Sequence, residues 1–566
     1  MSRTISRATI SPSALRAVLI LFLTITIIPA AFADGPYTIG SANTVTADPT
    51  IPRPLTTPCS VTLFSNFAFD NNYNLNPYAY APPADCPGPW AKVVLEVDIY
   101  VTAGIQFDRT ANIWLGGTNI FFGTTAEPSP SLSPSWHVES DLTDYSPLFT
   151  LAQQGSVYLG NTVDSTYTGI QYATATLQFY PLAANQTAPV TADVVLPLSA
   201  GSTGGTVTLN TTTDTLSGTF TLPTNIQNAY LDVYSQSQSG DEFWYTCVPT
   251  DVSSELQSCS NTGFRETEVT IDGTPAGVAP VSPWIFTGGI DPWLWFPIPG
   301  VQTLNFVPYR VDLTPFAGLL SNGQPHTVAL SVFNANGYFE DTATLLLYLD
   351  SGSTTVTGST VKNSLASPNP VVTENLNVST SITGSVQVSS NRSFVISGFV
   401  NTSHGKVTTT ISESLAFRNY QVFNISSTQY LQDIQVSGKM HSATLVQVSG
   451  QPNLTIYKNW SFPLVLDINQ FVTSSGGINL TTKARQTYSN QQVSEQNSIL
   501  FDALATTNTA QRQDTLEFTS SGNLIGNINQ SASQTYNQQD APGVNYFCVI
   551  AAANNALTSF SPGCSQ

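Results

Sequence analysis

The chain has 566 residues, a net charge of −19 and only 9% charged residues. An acidic excess with so few cations argues against a nucleic-acid partner and against an anionic membrane surface, since both need basic patches. Hydrophobic residues at 41% and aromatics at 10% supply cores, so disorder is not expected either, and the length calls for more than one domain. Little charge beside abundant Ser, Thr, Asn, Gln and Tyr suits an extracellular β-protein that stays folded at low pH.

The N-terminus reads as a secretory signal. Arg3, Arg7 and Arg16 precede the apolar run AVLILFLTITIIPA, and AFA follows before Asp34. A basic region, an apolar region and an A-x-A site predict a signal peptide over 1–33, cut after Ala33. No other segment reaches the roughly 18 apolar residues that span a bilayer. The expected location is secreted, periplasmic or extracellular, without stable membrane insertion after cleavage. Six cysteines follow the signal and fall into three close pairs. In an oxidising compartment, proximity predicts bridges Cys59–Cys86, Cys247–Cys259 and Cys548–Cys564.

Beyond the signal, helical periodicity is nearly absent. Strand-like runs recur between Gly, Pro, Asn and Asp clusters: WAKVVLEVDIYV, YATATLQFYP, NAYLDVYSQS, HTVALSVFNA. Such spacing predicts an all-β protein of sandwiches or jelly rolls. Three blocks are expected: a first domain over 34–181, a second over 182–354, and a β-rich accessory domain over 355–566. The third has longer alternating segments, such as SVQVSSNRSFVISGFV, that predict long antiparallel strands with one polar face. It also carries eight of the ten N-x-S/T sequons.

The common catalytic signatures are missing: no G-x-S-x-G elbow, no H-E-x-x-H, no phosphate loop. No C-x-x-C spacing suggests a metal. The four histidines, His137, His326, His404 and His441, have no ligand-like neighbours. Carboxylates remain as the general acid–base groups. Asp108 and Arg109 interrupt the apolar alternation of GIQFDRTANIWLGG, which predicts a strand with the pair at a sheet rim; the plainer reading is a salt bridge fixing a turn. Asp241 and Glu242 precede three aromatics in SGDEFWYTC, where aromatic faces suit sugar rings; the plainer reading is a solvated turn. Glu127 in TAEP and Glu139 in WHVESDLTDY are weaker carboxylate candidates, for which the plainer reading is turn caps or strand ends.

These stretches, with SWHVESDLTDYSPLF, FRETEVTIDGTPAG, WIFTGGIDPWLWFPIPG and VDLTPF, resemble the peptide N-glycosidase A family over most of the chain. The resemblance implies two adjacent eight-stranded jelly-roll domains plus the C-terminal β-rich domain, with the site at the junction of the first two. It implies a catalytic Asp108. The matching second-domain acid is Glu242, with Asp241 as the register alternative. Phe107, Arg109 and Arg265 are expected along the cleft, with Trp244 and Trp284 among its aromatics. The related bacterial enzymes have a third carboxylate after a late strand of the first domain; here VYLGNTVDS has none before Asp164, and Asn161 stands as its replacement. The implied activity is an amidase acting on N-linked glycopeptide or glycoprotein, without cofactor or metal, as a monomer. The rival reading is a non-catalytic carbohydrate-binding or surface/wall β-sandwich protein.

Overall fold

The first block folds into eight strands: β1 (Cys59–Phe69), β2 (Asn76–Tyr80), β3 (Trp90–Val101), β4 (Thr110–Leu115), β5 (Thr118–Thr124), β6 (Ser135–Asp141), β7 (Gln153–Leu159) and β8 (Gln171–Pro181). They form two antiparallel sheets in the orders β1-β8-β3-β6 and β2-β7-β4-β5. First thus pairs with last, and so inward to the hairpin β4–β5, which is the jelly-roll pattern. Gly116 and Gly117 close that hairpin at φ 56° and 82°, a two-residue turn for which side-chain-bearing residues are poorly suited.

The second block repeats the pattern. Its strands are β9 (Val194–Leu198), β10 (Val207–Thr211), β11 (Leu216–Thr221), β12 (Ile226–Gln238), β13 (Glu266–Ile271), β14 (Thr274–Pro280), β15 (Tyr309–Asp312), β16 (Pro325–Phe333) and β17 (Asn336–Leu349). β10 pairs β17, β11 pairs β16, β12 pairs β15 and β13 pairs β14. These are the eight jelly-roll strands; β9 is a ninth, added to β17. The computed structural model describes residues 37–541 and 543–564, which belong to one compact unit. The expected signal segment lies outside them.

The third block is one antiparallel sheet of twelve strands, from Thr357–Asn363 to Ala556–Phe560. Strands Ile382–Thr402 and Gly405–Ile425 each run 21 residues. Period-two alternation gives this sheet one apolar stripe, and that stripe is covered. Phe394, Ile396, Ile434 and Leu464 share a core with Val269, Leu330 and Phe316 of the second block. Each such side chain stabilises the junction by about 1.5–3 kcal/mol.

Two expected bridges are formed, Cys247–Cys259 and Cys548–Cys564. The third is not: Cys59 and Cys86 are free, although their side chains interact. Their thiols are within hydrogen-bonding reach but no disulfide joins them. Among the described residues, no helix is long and apolar enough to cross a membrane.

Candidate active site

The alternation of GIQFDRTANIWLGG predicts one strand, but β4 begins only at Thr110. The residues before it are held from outside the ladder. Gln106 is 4% exposed and donates from Nε2 to the Thr162 and Gly169 carbonyls, each at 2.9 Å. Its Oε1 accepts from the Phe107 N–H at 3.0 Å and from Arg109 Nη2 at 2.7 Å. The Arg109 N–H donates to Thr125 Oγ1 at 2.9 Å. Leaving the ladder puts Asp108 and Arg109 on the sheet rim, which is how charge survives beside an apolar strand.

Two segments of the second jelly roll reach that rim. The loop between β14 and β15 runs along β5: the Phe306 N–H donates to the Phe122 carbonyl at 2.8 Å and the Thr124 N–H to the Thr303 carbonyl at 3.0 Å. Thr287 Oγ1 donates to the Thr125 carbonyl at 2.8 Å, which brings Gly288 onto the acids. The Gly288 N–H donates to the Asp108 carboxylate. A Cβ at Gly288 would overlap Glu127 Oε1 and Asp108 Oδ1, so a side chain there would displace both carboxylates. The second segment follows β12, where Gln238 Nε2 donates to Thr110 Oγ1 at 2.9 Å. It then turns through Ser239–Asp241 and presents Glu242.

Three carboxyls converge here. Glu127 Oε1 accepts the Asp108 N–H at 3.2 Å. Burial pushes Asp108 up to about 6, against the Gly288 N–H and the Arg109 charge. Burial, then the Asp108 charge, pushes Glu127 up to about 7. The same two causes push Glu242 up to about 7. Like charges taken out of water cannot all ionise, so the cluster holds protons near neutrality. Two tyrosines and a fourth acid lie within electrostatic reach of this cluster. Burial, then Glu340, raises the Tyr158 hydroxyl, which Arg109 lowers. Burial, then Glu340 and Glu242, raises Tyr338. Phe107 is 49% exposed and packs on Tyr167 at 5.2 Å. The Arg109 guanidinium lies 5.8 Å from the Phe107 ring, and its Nε is buried without a partner.

Residues 48–364 match the family model described as peptide N-acetyl-beta-D-glucosaminyl asparaginase amidase A. The chain belongs to this family. A peptide-N4-(N-acetyl-beta-glucosaminyl)asparagine amidase A from Prunus dulcis is 34% identical over 393 residues, 65% of this chain and 67% of the relative. Two solved structures, a peptide-N(4)-(N-acetyl-beta-D-glucosaminyl) asparagine amidase and a recombinant peptide:N-glycanase F, align at 13% identity. They cover 51% and 52% of this chain and 96% of each of theirs, with TM-scores of 0.35 and 0.36.

Within this amidase A family member, the expected site residues separate into two groups. Asp108, Arg109, Phe107 and Glu242 meet at the rim. The others lie inside. Asp241 has no exposure; its Oδ1 accepts from Arg265 Nε at 2.9 Å and its Oδ2 from the Asn336 N–H at 2.7 Å. Arg265, expected along the cleft, is 2% exposed and its Nη1 is taken by the Asn261, Thr262 and Phe264 carbonyls. This ion pair braces the turn that precedes Glu242, and Asp241 has no carboxylate oxygen at the rim. Trp244, 1% exposed, packs on Phe417, and Trp284, 4% exposed, stacks on Phe306 at 4.2 Å; covered rings offer a sugar no free face. Asn161 has no exposure and donates to the Phe69 carbonyl at 2.8 Å. Glu127, whose plainer sequence reading is a turn cap, is the acid whose Oε1 accepts the Asp108 N–H. Glu139 does serve structure, bonded to Arg53 and His137. Gln106, Gly288, Tyr158, Tyr338 and Glu340 carried no sequence signal; only the tertiary fold brings them together.

Proposed function

We propose that this protein hydrolyses the amide between a glycosylated Asn side chain and the proximal GlcNAc of its N-linked glycan. The glycan leaves as a glycosylamine and Asp remains in the peptide. The observation that carries this reading is the convergence of Asp108 and Glu127 from one jelly roll with Glu242 from the other, all with raised proton affinities. Family membership points to the same bond.

Amide hydrolysis needs a positioned water, a proton for the leaving nitrogen and donors for the developing oxyanion. Glu242 orients the water or the first sugar. Water attacks the Asn carbonyl carbon and the carbon–nitrogen bond breaks. Asp108 handles the proton, taking it from the attacking water and passing it to the departing nitrogen. Arg109, its guanidinium beside the exposed Phe107 ring, stabilises the developing charge through its field. Phe107, exposed beside Asp108, supplies an apolar face for the sugar. The protein acts outside the cell as a monomer, an address that suits its two disulfides.

Incubation of the protein with an N-glycopeptide tests this reading. The expected products are a peptide with Asp in place of the glycosylated Asn and a free reducing glycan formed after ammonia loss. A bound but intact glycopeptide would favour a carbohydrate-binding module instead.

A further inference from the structure

Eleven of the twelve strands in the C-terminal sheet begin beyond residue 364, the last residue matched by the family model. That sheet nevertheless reaches both second-domain segments that approach the acids. We propose that three of its buried amides, Asn419, Gln421 and Gln432, are positioning residues that hold the segment carrying Glu242. The proposal rests on the amidase reading where activity is measured.

The segment after Glu242 turns through Trp244–Thr246 and is closed by the Cys247–Cys259 bridge. It lies outside any strand, so its carbonyls need partners other than a ladder. The sheet supplies them. Asn419 Nδ2 donates to the Tyr245 carbonyl at 2.8 Å and to the Gly263 carbonyl at 3.1 Å. Gln421 Nε2 donates to the Cys247 carbonyl at 2.9 Å. Gln432 Nε2 donates to the Thr246 carbonyl at 3.0 Å and to Gln421 Oε1 at 2.8 Å. The three amides are 1%, 2% and 3% exposed.

Their place in the pattern is informative. Phe417, Asn419, Gln421 and Phe423 alternate along strand Gly405–Ile425 and share one face. Phe417 packs on Trp244 and Phe264, and Phe423 is buried. Apolar residues at 419 and 421 would bury more hydrophobic area. A buried amide is costly unless bonded, so these two positions serve the loop carbonyls. Gly263 fits the same contact, because a Cβ there would overlap the Asn419 amide. The sheet treats the Gly288 loop likewise: Gln486 Nε2 donates to the Pro283 carbonyl at 3.0 Å, and Gln530 Nε2 to the Phe296 carbonyl at 2.8 Å.

The test uses the full chain with Gln432→Met, which keeps volume and removes the donor. Hydrogen exchange over residues 239–263 is compared with exchange over 105–127, alongside glycopeptide kinetics across pH. Exchange should rise about tenfold or more in 239–263 alone. Turnover should fall about 10²-fold, with KM within about twofold of the parent. The limb of the pH profile that reports Glu242 should move to lower pH as water reaches that carboxyl. Unchanged exchange in 239–263, an equal rise everywhere, or a local rise with unaltered turnover would each overturn the proposal. Should Gln432→Met not fold, Asn419→Ser carries the same comparison. A parent enzyme that leaves glycopeptide intact would refute the amidase reading, while the exchange comparison would still decide whether the sheet holds the loop.

Discussion

The Asp108 N–H donates to Glu127 Oε1 at 3.2 Å, fixing an acid from nineteen residues away against the backbone of the first. The Asp108 charge in turn raises Glu127, after burial. Replacing Asp108 with Asn keeps the backbone donor and removes the charge that raises Glu127. Glu127 should then ionise more readily, and its carboxyl resonance, followed by NMR against pH, should titrate below the parent's value of about 7. An unmoved titration would mean that the Asp108 charge does not act on Glu127.

Gly288 gives a steric test of the junction. Alanine there would press on Asp108 and Glu127 together. Gly288→Ala should keep the fold, as judged by circular dichroism. Its turnover should drop about 10²-fold, the cost expected when reacting groups move by an ångström. Parent-like turnover would show that the loop does not close on the acids.

Asp241 and Glu242 are neighbours with different work. Asp241→Ala leaves the Arg265 guanidinium buried without its carboxylate, which should cost about 3–5 kcal/mol in urea unfolding. Glu242→Gln breaks no ion pair and should leave stability nearly unchanged while turnover collapses. The reverse outcome would exchange the two roles.

Stability should fall as the solution turns alkaline. Burial raises Asp108 to about 6, Glu127, Glu242, Glu266 and Glu413 to about 7, and Asp341 to about 8. A folded-state value above the unfolded one means that the folded chain binds the proton more tightly. The stability so gained is complete below about pH 4 and is lost as pH rises through 6 to 8. Glu139 runs the other way: against burial, bonds from His137 and Arg53 lower it to about 2. Its contribution is lost only as pH falls below the usual carboxylate range. Melting by calorimetry should give a higher Tm at pH 5 than at pH 8. A higher Tm at pH 8 would contradict the assignment of these acids as buried and proton-rich.

Period-two alternation marks the strands and so an all-β protein of sandwiches or jelly rolls. Asp108 interrupts an apolar run and Asp241–Glu242 precede an aromatic one, while the two eight-stranded jelly rolls and the choice of Asp108 and Glu242 come from the family resemblance. Glu127 ranks low because TAEP looks like any turn, and its partner is a backbone N–H that the chain meets only after the β4–β5 hairpin folds back. Trp244 and Trp284 look like exposed platforms in a one-dimensional string. Phe417 and Phe306 cover them, and neither contact has a sequence signature. Asp241 and Glu242 look alike in sequence, and the pairing of Asp241 with Arg265, 24 residues on, has no local signal. The ninth strand of the second jelly roll, Val194–Leu198, lies in an apolar run that reads as a strand; its pairing with β17, as an addition to the eight strands expected, has no local signature.

The central claim is that Asp108 moves the proton in a reaction that breaks the glycan–asparagine amide. Turnover of one N-glycopeptide by the parent and by Asp108→Asn, with the peptide product read by mass spectrometry, tests it most directly. The parent should yield peptide with Asp at the former glycosylation site, and Asp108→Asn should be slower by about 10²–10⁴-fold with its fold intact. Near-parental turnover in the variant, or no Asp-containing peptide from the parent, would contradict it.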